Sequence, residues 1–280
     1  MSLSYSDLPV YVGPPNSDSP GDVNRYVAAT QVNVSFSASA GAKRNLGKSI
    51  NTDDQFKFQG PMNASISFST ILDPAFNGGF EFANEDHIDD FFAVKVGLNT
   101  YKKCYLNNFS VSISPFAPVT LSANFTSLHP VSGVEILKDP SPYANNPIPF
   151  DSDDVIYGYT CSVTNMDEVV GNVQSQINYT KEFTRTPVYT LGSTRTDTML
   201  LDRVESEMNI TSTGLQNLIN ISGDKLASDV VVELDNIDGD SVVQFPSLTM
   251  SAGARVLTEN YSVNGGDTVV TTAEIRQIDL

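Results

Sequence analysis

The chain contains no tryptophan, only two cysteines and two histidines, and few cations: 16 Lys and Arg stand against 33 Asp and Glu over 280 residues, a formal net charge of −17. Each shortage removes a class of function. A chain so acidic cannot hold nucleic acid by neutralising phosphates, which takes clustered Lys and Arg. His87 and His129 are far apart, and neither has a metal-ligand partner at helical or hairpin spacing. Glycine-rich phosphate loops, a nucleophile elbow and a Cys-x-x-Cys pair are all missing. No visible feature supports catalysis, so the chain reads as a non-enzyme with no cofactor. Cys104 and Cys161 read as small buried or half-buried side chains rather than a structural bridge. No apolar run approaches a membrane span, and the first residues, MSLSYSDLPVYVGPPNS, lack the basic and apolar regions of a signal peptide. The expectation is synthesis and folding in a cytoplasm, with no membrane partner.

Hydrophobic residues make up 40 % of the chain, enough for a sizeable core. The acid is unevenly spread. Residues 1–150 carry 9 basic and 13 acidic side chains, and residues 151–280 carry 7 and 20.

Two stretches resemble each other. VNVSFSASAGAKRNLGKS starts at Val32 and INYTKEFTRTPVYTLGS at Ile177, an offset of 145 residues that sets Asn33 on Asn178 and Leu46-Gly47 on Leu191-Gly192. Further along, NASISFSTIL (63–72) answers EMNITSTGL (207–215), with Ile66 set on Ile210. Apolar residues spaced i, i+3, i+4 then predict a short helix in each half. Ile88, Phe91 and Phe92 mark the first, over 84–93, with Asn84 as its cap. Leu215, Leu218 and Ile219 mark the second, over 213–220. Residues 106–113 and 117–127 then answer 245–252 and 254–263 as closing strands. Five elements in one order predict an internal duplication. The expected division is an arm over 1–25, a first domain over 26–128, a linker over 129–154 and a second domain over 155–280. The arm, rich in Pro, Gly and Ser, is expected to lack structure alone and to order against a neighbour.

The strands alternate with period two. Val32, Val34, Phe36, Ile66, Phe68, Ile177, Tyr179 and Ile210 are the expected buried set. Asn33, Ser35, Ser37, Asn63, Ser65 and Ser67 form the opposite face, with Asn178, Thr180, Glu182, Thr184, Asn209 and Thr211 in the second half. This face is nearly all small and uncharged. The eight Asn-x-Ser/Thr triplets follow from such faces rather than from glycosylation, because residues i and i+2 share one side of a strand. Asp235–Asp240, DNIDGD, looks like half of a calcium loop but lacks the closing Glu, and Asp-Gly is an ordinary hairpin turn.

Each half resembles the tail tube domain of tailed phages, shared with the tubes of contractile injection systems. The order of a polar-faced strand, a stretch ending in Leu-Gly, a loop, a second polar-faced strand, a short helix and a closing hairpin carries the likeness over about residues 30–127 and 172–276. RTPVYTLGSTRTDTM in the second half is its most family-like stretch, and the first half lacks the Pro-Val before Leu-Gly. The resemblance implies a mainly β protein of two tandem sandwich or split-barrel domains, each with one short helix. It implies self-assembly, three duplicated chains forming a pseudo-hexameric ring of a virion tail tube, made in a host bacterial cytoplasm. The polar faces would line the channel. Lys48, Asp53, Asp54, Ser193, Arg195 and Asp197 lie in the loops that would stack rings. Other tail proteins would be neighbours, and DNA would pass without specific binding. A tube-initiating, terminating or neck ring is the alternative within the family. A glycan- or receptor-binding sandwich of a tail tip, using Tyr143, Tyr157 and Tyr159, is the alternative outside it.

Overall fold

The computed structural model describes residues 10–17, 25–27, 29–44, 55–72, 81–97, 99–129, 155–164, 174–191, 196–213, 225–234, 246–264 and 268–279. Among them the regular structure is antiparallel strand with two single-turn 3₁₀ segments. In chain order the strands are β1 (Val10–Val12), β2 (Arg25–Val27), β3 (Ala29–Arg44), β4 (Gln55–Ile71), β5 (Phe92–Val96), β6 (Asn99–Ile113) and β7 (Thr120–His129). They continue as β8 (Ser162–Thr164), β9 (Gln174–Tyr189), β10 (Thr196–Thr213), β11 (Val230–Glu233), β12 (Leu248–Met250), β13 (Arg255–Asn264) and β14 (Thr268–Asp279).

Eleven strands form one sheet, and β8, β11 and β12 form a second. The long path through the large sheet runs β3-β4-β7-β6-β9-β10-β14-β13. In each half the strand order is therefore first, second, fourth, third. The halves meet where Asn108–Ile113 of β6 pair with Ile177–Glu182 of β9. The other end of β6, Asn99–Cys104, pairs on the same side with β5, which carries β1 and β2 beyond it. β6 and β13 also share a defect. The ladder slips between Leu106 and Asn108 in one and between Val256 and Thr258 in the other, the single-residue signature of a bulge.

One side of the large sheet is polar, and the core lies against the other. In the first half the core is aromatic. Phe82 stands edge-on to Phe125 at 5.2 Å and to Phe92 at 6.3 Å, and Phe68 stacks on Phe125 at 6.0 Å. Burying each ring contributes about 1.5–3 kcal/mol. In the second half the core is aliphatic: Met208, Ile210 and Ile275 pack near Val230, Val232, Leu248 and Met250 of the small sheet.

Several expectations need correction. The helix over 84–93 is not formed. Glu81–Ala83 and Glu85–His87 are 3₁₀ turns, and from Phe92 the chain is strand. Asn84 does cap, accepting a hydrogen bond from the Asp86 amide at 3.1 Å. What wins afterwards is the run FAVKV, whose residues are all buried and which lies between β6 and β1. Thr213 ends β10, and the rest of the second expected helix, 214–220, falls outside the described residues. Within the arm, β1 is buried and hydrogen-bonded between β5 and β2, so this part is integral to the first half's sheet.

The first described residues after the expected linker also contact the first half. Ile156 donates its amide to Leu72 O and accepts from Val119 N, stitching the segment to the first half. Gly158 is required there, because a Cβ on it would sit 2.0 Å from Ser114 O. In the second half the closing hairpin is β13–β14, not 245–252 with 254–263, since β12 belongs to the small sheet. The ladders set Val32 opposite Phe68 and Ile177 opposite Ile210, so Ile210 answers Phe68 rather than Ile66.

Candidate functional site

The candidate site is the polar side of the large sheet. Cross-strand registers fix its membership. Asn33 lies opposite Ser67, Ser35 opposite Ser65, and Ser37 opposite Asn63. In the second half Asn178 lies opposite Asn209, Thr180 opposite Glu207, and Thr211 opposite Gln176. β7 and β6 bridge the two sets. One row reads Asn33, Ser67, Asn124, Asn108, Glu182, Glu205. The next reads Gln31, Ser69, Ser122, Ser110, Thr180, Glu207, Arg276, Arg255. The sequence-named polar residues thus share one face with residues from all eight strands of the long path.

Short side chains on this face hydrogen-bond one another. Ser65 Oγ donates to Asn124 Oδ1 at 3.1 Å, the Ser69 and Ser122 hydroxyls are 2.7 Å apart, and Ser112 Oγ donates to Asn178 Oδ1 at 2.8 Å across the join of the halves. A shallow cleft of about 250 Å³ lies over Gln31, Asn33, Ser67, Asn108, Ser122 and Asn124. It holds no ionisable side chain.

The second half departs from the expected small, uncharged face. Glu182, Glu205, Glu207 and Glu274 stand among Arg203, Arg255 and Arg276. Glu205 receives Arg276 at 2.5 Å and Arg203 at 2.6 Å. The Arg276 hydrogen bond holds the Glu205 carboxyl below the usual carboxylate range, and Arg276 is raised in turn. Of these, Glu182 was visible in the strand alternation. Arg276 and Glu274 were not, because the strand carrying them had no assigned counterpart.

The expected buried set holds with one exception and two partial cases. Ile66, Phe68, Ile177, Tyr179 and Ile210 are buried, Val32 and Val34 are half-buried, and Phe36 is 63 % exposed. The cause is position. β3 has β4 on one side and, among the described residues, nothing on the other. Its counterpart β9 has β6 there, and Ile177, Tyr179 and Lys181 are only 3 %, 3 % and 6 % exposed.

A side-chain clasp closes the join. Arg185 of β9 donates from Nε to Leu106 O at 3.1 Å and from a terminal nitrogen to Ile88 O, and its guanidinium lies over the Tyr105 and Phe183 rings. Burial lowers its pKa. Lys181 reaches Glu85 at 2.7 Å. The sequence carried no signal for this clasp.

Lys48, Asp53, Asp54, Ser193 and Arg195 lie outside the described residues, as do Tyr143 and Asp235–Asp240. Asp197 falls within β10. Tyr157 and Tyr159 stack at 5.4 Å near the first half, with Tyr159 exposed. Cys104 is buried and Cys161 half-buried. Among the described residues no cluster of three His, Cys, Asp or Glu could hold a metal, and no helix is long and apolar enough to cross a membrane. A scan against protein-family models finds no match for this chain, and a search of curated proteins finds none either.

Proposed function

We propose that the protein is a structural subunit of a ring or tube whose polar sheet face lines an aqueous channel, as in a phage tail tube. The observation that carries this reading is the eight-strand path whose two ends, β3 and β13, each have one neighbouring strand among the described residues. An open sheet with two long edges invites addition of another chain, and closure into a barrel satisfies both.

Duplication within the chain is part of the proposal. The repeated order first-second-fourth-third, the shared bulge in β6 and β13, and the matched polar rows support it. Each copy then contributes two equivalent units, and three copies give a pseudo-hexameric ring. With strands about 4.8 Å apart and tilted by about 35°, twenty-four strands enclose a barrel about 45 Å across, wider than a DNA duplex.

The chemistry of the face suits a conduit for DNA. Hydroxyls and amides keep the wall wet without gripping phosphates, and the arginines of the second half stand among four glutamates. Such a subunit would work in a virion tail, as the main tube or as a terminal ring. Electron microscopy of the purified protein tests the reading. Rings or tubes with a central hole are expected, and a protein that stays monomeric at high concentration and in particle extracts defeats it.

A further inference from the structure

Given the ring reading, on which this inference rests, the join inside the chain can serve as a template for the join between chains. Within one copy, the third strand of the first unit (β6) pairs with the first strand of the second (β9). The same step at the end of the chain would bring β13 of one copy against β3 of the next. We infer that this seam forms in one definite register, with Asn260 of one copy opposite Ser35 of its neighbour.

The register follows from equivalent rows. Asn33, Ser67, Asn124 and Asn108 occupy the places of Asn178, Asn209, Glu274 and Thr258. Gln31, Ser69, Ser122 and Ser110 occupy those of Gln176, Thr211, Thr272 and Asn260. Both rows give the same correspondence, and it sets the bulged residue Asn107 on Leu257. Inside the chain Ser110 faces Thr180, Asn108 faces Glu182 and Ser112 faces Asn178. Carried to the edges, these become Asn260 facing Ser35, Thr258 facing Ser37 and Ser262 facing Asn33. Polar positions meet polar positions throughout, and Tyr261 falls opposite Val34. A slip by one residue would break this match along the whole seam.

Three independent observations agree with it. First, Val32 and Val34 are only half-buried and Phe36 is exposed, whereas Ile177, Tyr179 and Lys181, at the equivalent places beside β6, are buried. Second, the outer side of β13 is already engaged at Arg255 by a bridge to Lys225, just as β5 occupies the start of β6. Among the described residues the stretch from Thr258 onward has no strand on that side, matching Asn108–Ile113. Third, the stagger suits closure. A row leaving Gln31 arrives in β9 at Thr180, four residues beyond Gln176, its own equivalent. Four residues over four strands is one residue per strand, which gives a tilt of about 35°, within the range of closed barrels.

Disulfide mapping in the full-length chain tests the seam. The double variant Ser35→Cys/Asn260→Cys, assembled and mildly oxidised, should give a non-reducing ladder ending in a closed oligomer. Asn33→Cys/Ser262→Cys is an independent pair in the same register. Gln31→Cys/Asn260→Cys, displaced by four residues on the same face, should give no ladder, and neither should variants carrying only one of the added cysteines. Electron microscopy of the reduced variants shows whether rings form. Rings without cross-links at either predicted pair, or with cross-links at the displaced pair, overturn the seam and leave the ring reading standing. Absence of rings in the wild type and variants alike overturns the ring reading and the seam with it.

Discussion

At equivalent strand positions the first half presents Ser65, Asn124 and Thr126 on the polar face, and the second presents Glu207, Glu274 and Arg276. Behind the sheet the contrast continues, with Phe125 in the first core where Ile275 stands in the second, both fully buried. The backbone plan tolerates both solutions. What recurs is the alternation, the strand order and the bulge, which decide which side chains meet water and which meet each other. What varies is how each side is filled. A neutral face can be satisfied by hydroxyl and amide contacts, whereas a charged face needs Glu205 between two arginines.

The cores provide the largest test of this contrast. Phe125→Ala empties the centre of a cluster of four rings and is expected to cost about 3–5 kcal/mol, and Ile275→Ala about 2–5 kcal/mol. Urea unfolding followed by fluorescence and circular dichroism measures both. If the halves form one cooperative body through β6–β9, either variant lowers a single shared midpoint. Two separated transitions would show that the join is weaker than the ladder between Asn108–Ile113 and Ile177–Glu182 implies.

The join itself comes next. Arg185→Ala leaves the Leu106 and Ile88 carbonyls without this donor and removes the guanidinium from two aromatic faces. A loss of about 1–3 kcal/mol is expected. Arg185→Lys should recover only part of it, because an ammonium cannot span both carbonyls with a planar fork. A variant as stable as the wild type would show that strand pairing alone holds the halves together.

The recurring features were legible in the sequence to different degrees. Alternation in 32–37 and 63–68 identified the polar face, because a strand's period of two survives any tertiary setting. The spacing of Ile88, Phe91 and Phe92 suggested a helix, yet the next residues fit a fully buried strand, for which periodicity is silent. No local pattern pairs Thr268–Asp279 with 255–264, so the sequence alone puts the second closing hairpin one strand too early. The exposure of Phe36 was illegible for a deeper reason. Burial at an edge depends on which strand lies alongside, and that is a property of topology rather than of local pattern.

The charged face makes a pH prediction of smaller size. The folded Glu205 carboxyl lies below its unfolded value, so its contribution is complete above the ordinary carboxylate pKa of about 4.3 and is lost as pH falls through the folded value. Thermal melting of the wild type between neutral and acid pH should decline more steeply than that of Glu205→Gln, and the two curves should converge at the acid end. Parallel curves would mean that the bridge to Arg203 and Arg276 adds nothing to stability.

The most direct effect on function comes from giving the neutral half the charge it lacks. Ser35→Lys with Ser65→Lys places two cations opposite each other on the polar face. Ser35 is exposed, but Ser65 is half-buried and loses its hydrogen bond to Asn124, and the two ammonium groups repel, so the unfolding free energy should fall by about 1 kcal/mol. If the face lines a channel for DNA, uncompensated lysines there would hold passing phosphates, whereas Arg276 is held by Glu205. Particles built with the variant should assemble normally and release DNA more slowly than wild type, with the defect growing as salt is lowered and vanishing as it is raised. Replacing the same residues by Asn keeps the face neutral and should leave release unchanged. Normal release by the lysine variant at low salt would place Ser35 and Ser65 on a surface that DNA never meets.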